Sequence, residues 1–237
     1  MGYLAIFLAM EGRRCVVIGG GNIAARKVAQ LLAAGAQVTV ISPRMVRELA
    51  VLAESVAITY LPRKWERGDL RGFELAFAAT DDADAHREIA SEARAFGVML
   101  NVADEPELCD FIAPAVVRRG DLQIAVSTSG ASPATAARIR RELEHRFGWE
   151  YAAALRILRA ARDYLFANEP DISSRGRKLA ALAASDLTGG MRAGDRAAVE
   201  RLLVSHLGVG LDKLAQGAGE DTGEWFRSTA HEASSGD

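Results

Sequence analysis

The stretch "CVVIGGGNIAARK", Cys15 to Lys27, decides the fold. A β-branched apolar run stops at three glycines and passes into a segment with helical spacing. A short run that is apolar throughout marks a strand buried on both faces, as in a parallel sheet. The loop fits G-x-G-x-x-G/A through Gly19, Gly21 and Ala24. In that spacing the first glycine permits the tight turn and the second lets the backbone approach a pyrophosphate. The third, small residue lets the helix pack on the strand. The helix opens at Asn22 and Ile23, where free N–H groups and the positive dipole end face the phosphates. A glycine motif alone carries little weight, but this one follows a strand, opens a helix and begins a βαβ unit. The competing reading is a strand-to-helix turn that holds nothing.

Outward from the loop, strands and helices alternate. "QVTVIS", "SVAITYLP", "FELAFAAT" and "VMLNVAD" read as further strands. "DDADAHREIASEARAFG" reads as a helix with Asp81 as N-cap and Gly97 as its stop. Alternation of this kind predicts an α/β, Rossmann-type parallel sheet with helices on its faces. The pattern breaks at "FIAPAVVRRGDLQIAVST", two extended runs around Arg119-Gly120-Asp121 that read as a hairpin. A long helix follows, with Ser132 as N-cap and Pro133 at its first position. From about Glu150 to Leu214 the chain reads as Ala/Leu-rich helices punctuated by "NEPDISSRG" and "LTGGMRAGD". From Gln216 it turns to Gly, Ser, Thr and acid and reads as a disordered tail.

Composition fits this picture and excludes others. Of 237 residues, 49% are hydrophobic and 25% charged, the balance of a globular chain with material for a core. A net charge of −2 gives no global pull toward nucleic acid or an anionic membrane. The apolar start "MGYLAIFLAM" is too short to span a bilayer and lacks the layout of a signal peptide. The two cysteines, Cys15 and Cys109, have no metal spacing and fit a reducing cytoplasm. The histidines His86, His145, His206 and His231 are scattered without ligand spacing and read as surface residues, so no metal site is expected.

An acid normally ends the second strand and binds the ribose. Here the chain reads "VISPRM". Ser42, followed by Pro43, offers a hydroxyl to the ribose, whereas Arg44 offers a site for a 2′-phosphate. The residues alone leave NAD and NADP both open.

Taken together, "YLAIFLAMEGRRCVVIGGGNIAARKV", "VTVISP", "FAATDD" and "NVADEPELCDFIAPAVVRRGDLQIAVSTSGASPATAARIRRELE" resemble the precorrin-2 dehydrogenase family. These are the siroheme-synthase N-terminal modules, some of which also insert iron as sirohydrochlorin ferrochelatases. The resemblance runs motif by motif over about residues 3 to 150. It implies an NAD-binding Rossmann domain over 1–112, a dimerisation segment over 113–148 and a helical domain over 149–215, with 216–237 as the tail. It also implies a homodimer, NAD as cofactor, precorrin-2 as substrate and, in some members, Fe2+. Members tend to lack the ribose acid, so Ser42 and Pro43 are similar to the family. The family's functional aspartate falls on Asp104.

The chemistry can be assigned to residues on that basis. Oxidation of precorrin-2 to sirohydrochlorin removes a hydride and a proton, so the site needs a nicotinamide face and a group that handles a proton. Asp104 ends the fifth strand, at the carboxyl edge where open α/β sheets bind ligands. Its expected role is general base or anchor for the tetrapyrrole; the competing role is capping the loop. Thr80, Asp81 and Val102 are expected along the nicotinamide pocket. The substrate carries eight carboxylates, for which Arg118, Arg119 and Arg138 are candidate partners. Ser127, Thr128, Ser129 and Ser132 offer hydroxyls beside a fresh helix N-terminus. Two other classes compete: a non-catalytic NAD(H) sensor, and an assembly protein whose helices serve a partner.

Overall fold

A computed structural model of the chain describes residues 2–227. It divides into two compact units that meet in sequence between Ala113 and Pro114.

The first unit is built on strand β1 (Arg14–Ile18). Helix α1 (Asn22–Leu32), strand β2 (Gln37–Ile41), helix α2 (Arg47–Glu54), strand β3 (Thr59–Leu61), strand β4 (Leu75–Ala78), helix α3 (Ala83–Phe96) and strand β5 (Met99–Val102) follow. The five strands are parallel, in the order β3-β2-β1-β4-β5. The apolar run of β1 is explained by burial on both faces. Cys15 and Val17 pack with Ala24, Val28, Leu31 and Leu49 of α1 and α2. Val16 and Ile18 pack on the other face with Ile89, Ala90 and Ala93 of α3. The order reverses direction between β1 and β4, which opens a crevice at the carboxyl ends of those strands.

Helix α2, only eight residues long with Leu49 as its buried side chain, is too short for its period to show in the sequence, and two local readings are corrected. The cap of α3 is Asp82, not Asp81: its carboxylate accepts from the N–H groups of Asp84 and Ala85 at 3.1 Å. His86 is not a surface residue, being 5% exposed. Gly97, in left-handed conformation at φ 68°, ends α3 as read.

The second unit opens with the antiparallel hairpin β6 (Ala115–Arg119) and β7 (Leu122–Val126). Helix α4 (Pro133–Arg146) is capped by Ser132 Oγ, which accepts from Thr135 N–H at 3.2 Å. Helix α5 (Trp149–Asn168) buries Ala153, Ile157, Ala161 and Leu165. Around it pack α6 (Ile172–Ala184), α7 (Leu187–Ala193), α8 (Arg196–Leu207), α9 (Leu211–Ala218) and α10 (Thr222–Trp225). "LTGGMRA" is therefore a helix rather than a break; Gly190 fits there because a side chain would press on Val199. The tail reading fails over 216–227. Trp225 is fully buried in the helical core and its indole N–H donates to Glu220, while Phe226 packs against the same core, so two adjacent aromatics anchor a stretch whose average composition is polar. The rest of that expected tail, including His231, lies outside the described residues. Among the described residues no helix is long and apolar enough to cross a membrane.

Candidate functional site

The glycine loop leaves β1 at Gly19 and enters α1 at Asn22. Gly19 has φ 124°, and a side chain there would meet the Ala79 carbonyl oxygen at 2.1 Å. Only glycine fits both constraints. Gly20, which the motif leaves without a role, is just as constrained. Its missing side chain lets the loop close on the 42–45 segment, where a Cβ would lie 2.0 Å from the Arg44 carbonyl oxygen. The triple glycine was the signal for it. Gly21 differs from both: a Cβ there meets nothing within 4 Å. It borders open space at the start of α1, whose N-cap supplies no side-chain hydrogen bond and whose first turn holds no acid. Helix N–H groups left without partners, behind a backbone with no side chain in front of it, form an anion cradle.

That cradle borders a cavity of about 1040 Å³. Gly19, Gly21, Asn22, Ile23, Ser42, Pro43, Thr80 and Asp81 all line it. The two ends carry opposite charge. Arg44 and Lys64 lie on the β2 and β3 side; Asp81, Asp82 and Asp84 lie on the β4 side. Lys64 and Trp65 escaped the sequence reading. The loop after the third strand of a parallel sheet borders the carboxyl edge, which was the signal for them. The Trp65 indole nitrogen is buried without a hydrogen-bond partner among the described residues. Ser42 is 7% exposed, and its hydroxyl donates to the Arg44 carbonyl at 2.6 Å. Its proton is therefore held by the turn, and only its lone pairs are left for a ribose. Val102 does not line the cavity; it is 3% exposed in the core between the sheet and α3.

Asp104 follows β5 with φ 60°, a left-handed conformation that costs most residues of order 1 kcal/mol and that Asp and Asn tolerate best. It is exposed, and its carboxylate makes no hydrogen bond among the described residues, so it caps nothing. It stands outside the lining of the cavity. The loop behind it is tightly held. Leu108 N–H donates to the Glu105 carbonyl at 3.1 Å and Val102 N–H to Cys109 Sγ at 3.1 Å. Asn101 donates to the Phe111 carbonyl at 3.0 Å. Burial pushes the Cys109 thiol up, and that of Cys15 up to about 11, so neither is a ready nucleophile. Among the described residues no group of three or more His, Cys, Asp or Glu could hold a metal ion.

Comparison with known proteins agrees with this geometry. A family model described as "Putative NAD(P)-binding" matches residues 6–115, and one described as "Sirohaem biosynthesis protein central" matches 119–146. A siroheme synthase of Chromobacterium violaceum is 36% identical over 210 residues, 89% of this chain and 45% of the relative. One of Methylobacillus flagellatus is 44% identical over 141 residues, 60% of this chain and 30% of the relative. The chain is homologous to siroheme synthases over most of its length. It spans less than half the length of the curated relatives first matched. The solved structure of SirC, a precorrin-2 dehydrogenase, shares the fold, with a TM-score of 0.68 at 24% identity over 78% of this chain and 92% of that one.

The siroheme-biosynthesis central match covers the hairpin turn, β7 and α4, where every remaining candidate of the second unit except Arg118 lies. Their polar groups are largely engaged within the turn. Thr128 Oγ1 donates to the Ser132 carbonyl at 3.1 Å and accepts from Ser132 N–H at 3.0 Å. Ser132 Oγ donates to Thr135 Oγ1 at 2.8 Å while capping α4. Ser127 Oγ accepts from the N–H of Ser129, itself left-handed at φ 52°. Arg119 donates to the Arg118 and Glu144 carbonyls, and Arg138 is paired with Glu142 along the helix. The Arg118 guanidinium makes no hydrogen bond or ion pair among the described residues, which leaves it the readiest of the three for an external carboxylate.

Proposed function

We propose that the chain oxidises precorrin-2 to sirohydrochlorin with NAD as the hydride acceptor, within siroheme biosynthesis. The observation that carries this reading is the cavity bordered by Gly21 and the uncapped start of α1, in a chain homologous to siroheme synthases. The residues fit a dinucleotide. The backbone at 19–22 and the α1 N-terminus would hold the pyrophosphate. Ser42, Pro43 and Arg44 would border the adenosine ribose, and Thr80 and Asp81 the nicotinamide. When bound, NAD supplies a carbon that accepts hydride. The acids at the β4 end favour the cationic, oxidised nicotinamide, while Arg44 and Lys64 place positive potential at the opposite end.

The proton that leaves with the hydride needs a base or an ordered route to water. Asp104 is the candidate: an exposed carboxylate without an internal partner, held at the carboxyl edge of the sheet. A second role, anchoring the macrocycle nitrogens during insertion of Fe2+ as a substrate, would draw on the same carboxylate. Arg118 and the 127–132 turn would meet carboxylates of the substrate. The chain is read as a homodimer on its likeness to the family alone, since α4 and α5 of the same chain already pack on the β6–β7 hairpin. Its free thiols fit the reducing cytoplasm.

The deciding experiment is anaerobic incubation of the pure chain with precorrin-2 and NAD, following the sirohydrochlorin spectrum and NADH formation together. Stoichiometric appearance of both supports the reading. NAD binding with no turnover would point to the sensor instead. Light scattering at micromolar concentration tests the dimer.

A further inference from the structure

His86 and Glu105 form a contact with no part in the cofactor cradle. The His86 Nδ1–H donates to Glu105 Oε1 at 2.6 Å; a carboxylate can only accept, so the ring nitrogen is the donor. The imidazole side chain is 7% exposed and the carboxylate 35%. His86 Nε2 is buried with no hydrogen-bond partner among the described residues. A buried imidazole with one orphaned nitrogen is a poor choice for packing beside Ile89 and Ala90, because an apolar side chain would leave nothing unsatisfied. Stability alone gives no reason for it.

What the contact does follows from the chain around Glu105. The side chain of Glu105 is bound to α3 through His86. Its carbonyl accepts from Leu108 N–H at 3.1 Å and from the Cys109 thiol at 3.4 Å. Glu105 is thus fixed at both its side chain and its backbone. The residue before it is Asp104, left-handed at φ 60° and with no hydrogen bond of its own carboxylate to hold it there. A residue in that conformation relaxes toward the common regions unless its neighbours prevent it.

We propose that His86 and Glu105 are positioning residues: a tether from α3 to the post-β5 loop that keeps Asp104 in its left-handed conformation, with its carboxylate at the sheet edge. The inference rests on the reading of Asp104 given above. It adds two residues, neither of which touches substrate or cofactor, through which that aspartate is aimed. Reaction at a carboxylate needs placement within a fraction of an ångström, so loosening the loop lowers turnover without touching the dinucleotide cradle.

The test uses the whole chain and two independent readouts. The first is amide hydrogen exchange at Leu108 and Cys109, compared with Val16 and Val17 of β1. His86→Leu removes the tether and is expected to speed exchange at the two loop amides about 10-fold while leaving β1 unchanged. His86→Asn keeps an N–H donor near the Nδ1 position and is expected to restore most of the protection. The second readout is steady-state sirohydrochlorin formation. His86→Leu is expected to lower kcat about 10-fold at unchanged affinity for NAD, with rescue by His86→Asn, and to add nothing in the Asp104→Asn background. Glu105→Ala cuts the same bond from the loop side and decides the matter should His86→Leu not fold. Unchanged loop exchange in either variant overturns the tether. A loss that multiplies with that of Asp104→Asn overturns the action through Asp104. A wild-type chain that makes no sirohydrochlorin overturns the proposed function and the catalytic consequence with it, while the exchange measurement still decides the tether.

Discussion

The three consecutive glycines make different demands, and substituting them one at a time should separate structure from binding. Gly20→Ala puts a methyl group 2.0 Å from the Arg44 carbonyl oxygen and 2.8 Å from Ser42 Oγ. The first obstacle is backbone, so the 42–45 segment must retreat by about an ångström or more, and overpacking of this kind costs about 1–3 kcal/mol. For a unit of some hundred residues that lowers the melting temperature by roughly 5 °C per kcal/mol. The retreat also strains two bonds: the 2.6 Å bond from Ser42 to Arg44, and the 2.8 Å bond from Val46 N–H to the Gly20 carbonyl. Gly21→Asp presents the opposite case. Its backbone, at φ −86°, is open to any residue, and a Cβ meets nothing within 4 Å. Stability should change by less than about 0.5 kcal/mol, as for other surface substitutions away from special features. The new carboxylate, however, stands where a pyrophosphate is expected. Two unit charges about 5 Å apart at an effective dielectric of 20 repel by about 3 kcal/mol, a loss of roughly 100-fold in affinity. Thermal melts with and without NAD, together with calorimetric titration, read both effects. A Gly21→Asp protein that melts like wild type and binds NAD unchanged would refute the cradle. A Gly20→Ala protein of unchanged stability would refute the close approach.

Asp104→Asn keeps the shape and the tolerance of a left-handed backbone, so stability and NAD affinity should hold while sirohydrochlorin formation falls about 10²–10⁴-fold, the usual size of a lost acid–base group; a rate within a few-fold of wild type would leave this carboxylate without a role. Arg44→Ala should leave NAD affinity within a few-fold in a direct titration, whereas a selective loss of NADP affinity would show that Arg44 reads a 2′-phosphate. In the second unit, burial acts to raise the Glu150 pKa, but hydrogen bonds from Arg192 and the backbone outweigh it and hold the carboxyl below its ordinary value. A carboxylate depressed by folding contributes stability that is complete above about pH 4.5 and is lost as the pH falls through the folded value. Glu150→Gln should therefore destabilise by about 1.5–3 kcal/mol at pH 7 and flatten the acid limb of stability against pH, as measured by denaturant unfolding.

Much of the first unit was written locally. A strand buried on both faces must be apolar throughout, so β1 announced itself, and the glycines after it had to follow because no other residue passes Ala79 at 2.1 Å with φ 124°. Strand–helix alternation then sufficed for a parallel sheet, and with it the carboxyl edge as the place for ligands. The hairpin and the Ser132 cap were equally local, since turn and cap chemistry involve residues a few positions apart. Contacts between distant segments were another matter. That Gly20 is pressed against 42–45, that the Ser42 proton is held by its own turn, and that Lys64 and Trp65 enter the cavity wall depend on how β2 and β3 lie beside β1. His86 read as a surface histidine because its partner, Glu105, lies nineteen positions away across a strand. Trp225 and Phe226 read as part of a tail because they stand as an isolated pair among Gly, Ser, Thr and acidic residues, with no helical period around them; the burial of Trp225 comes from the α5 and α9 helices it packs against. Periodicity and turn chemistry act over a few residues and survive in any single sequence. Which polar group finds a partner, and which carboxylate is left without one, is settled only when segments far apart in the chain are brought within hydrogen-bonding distance.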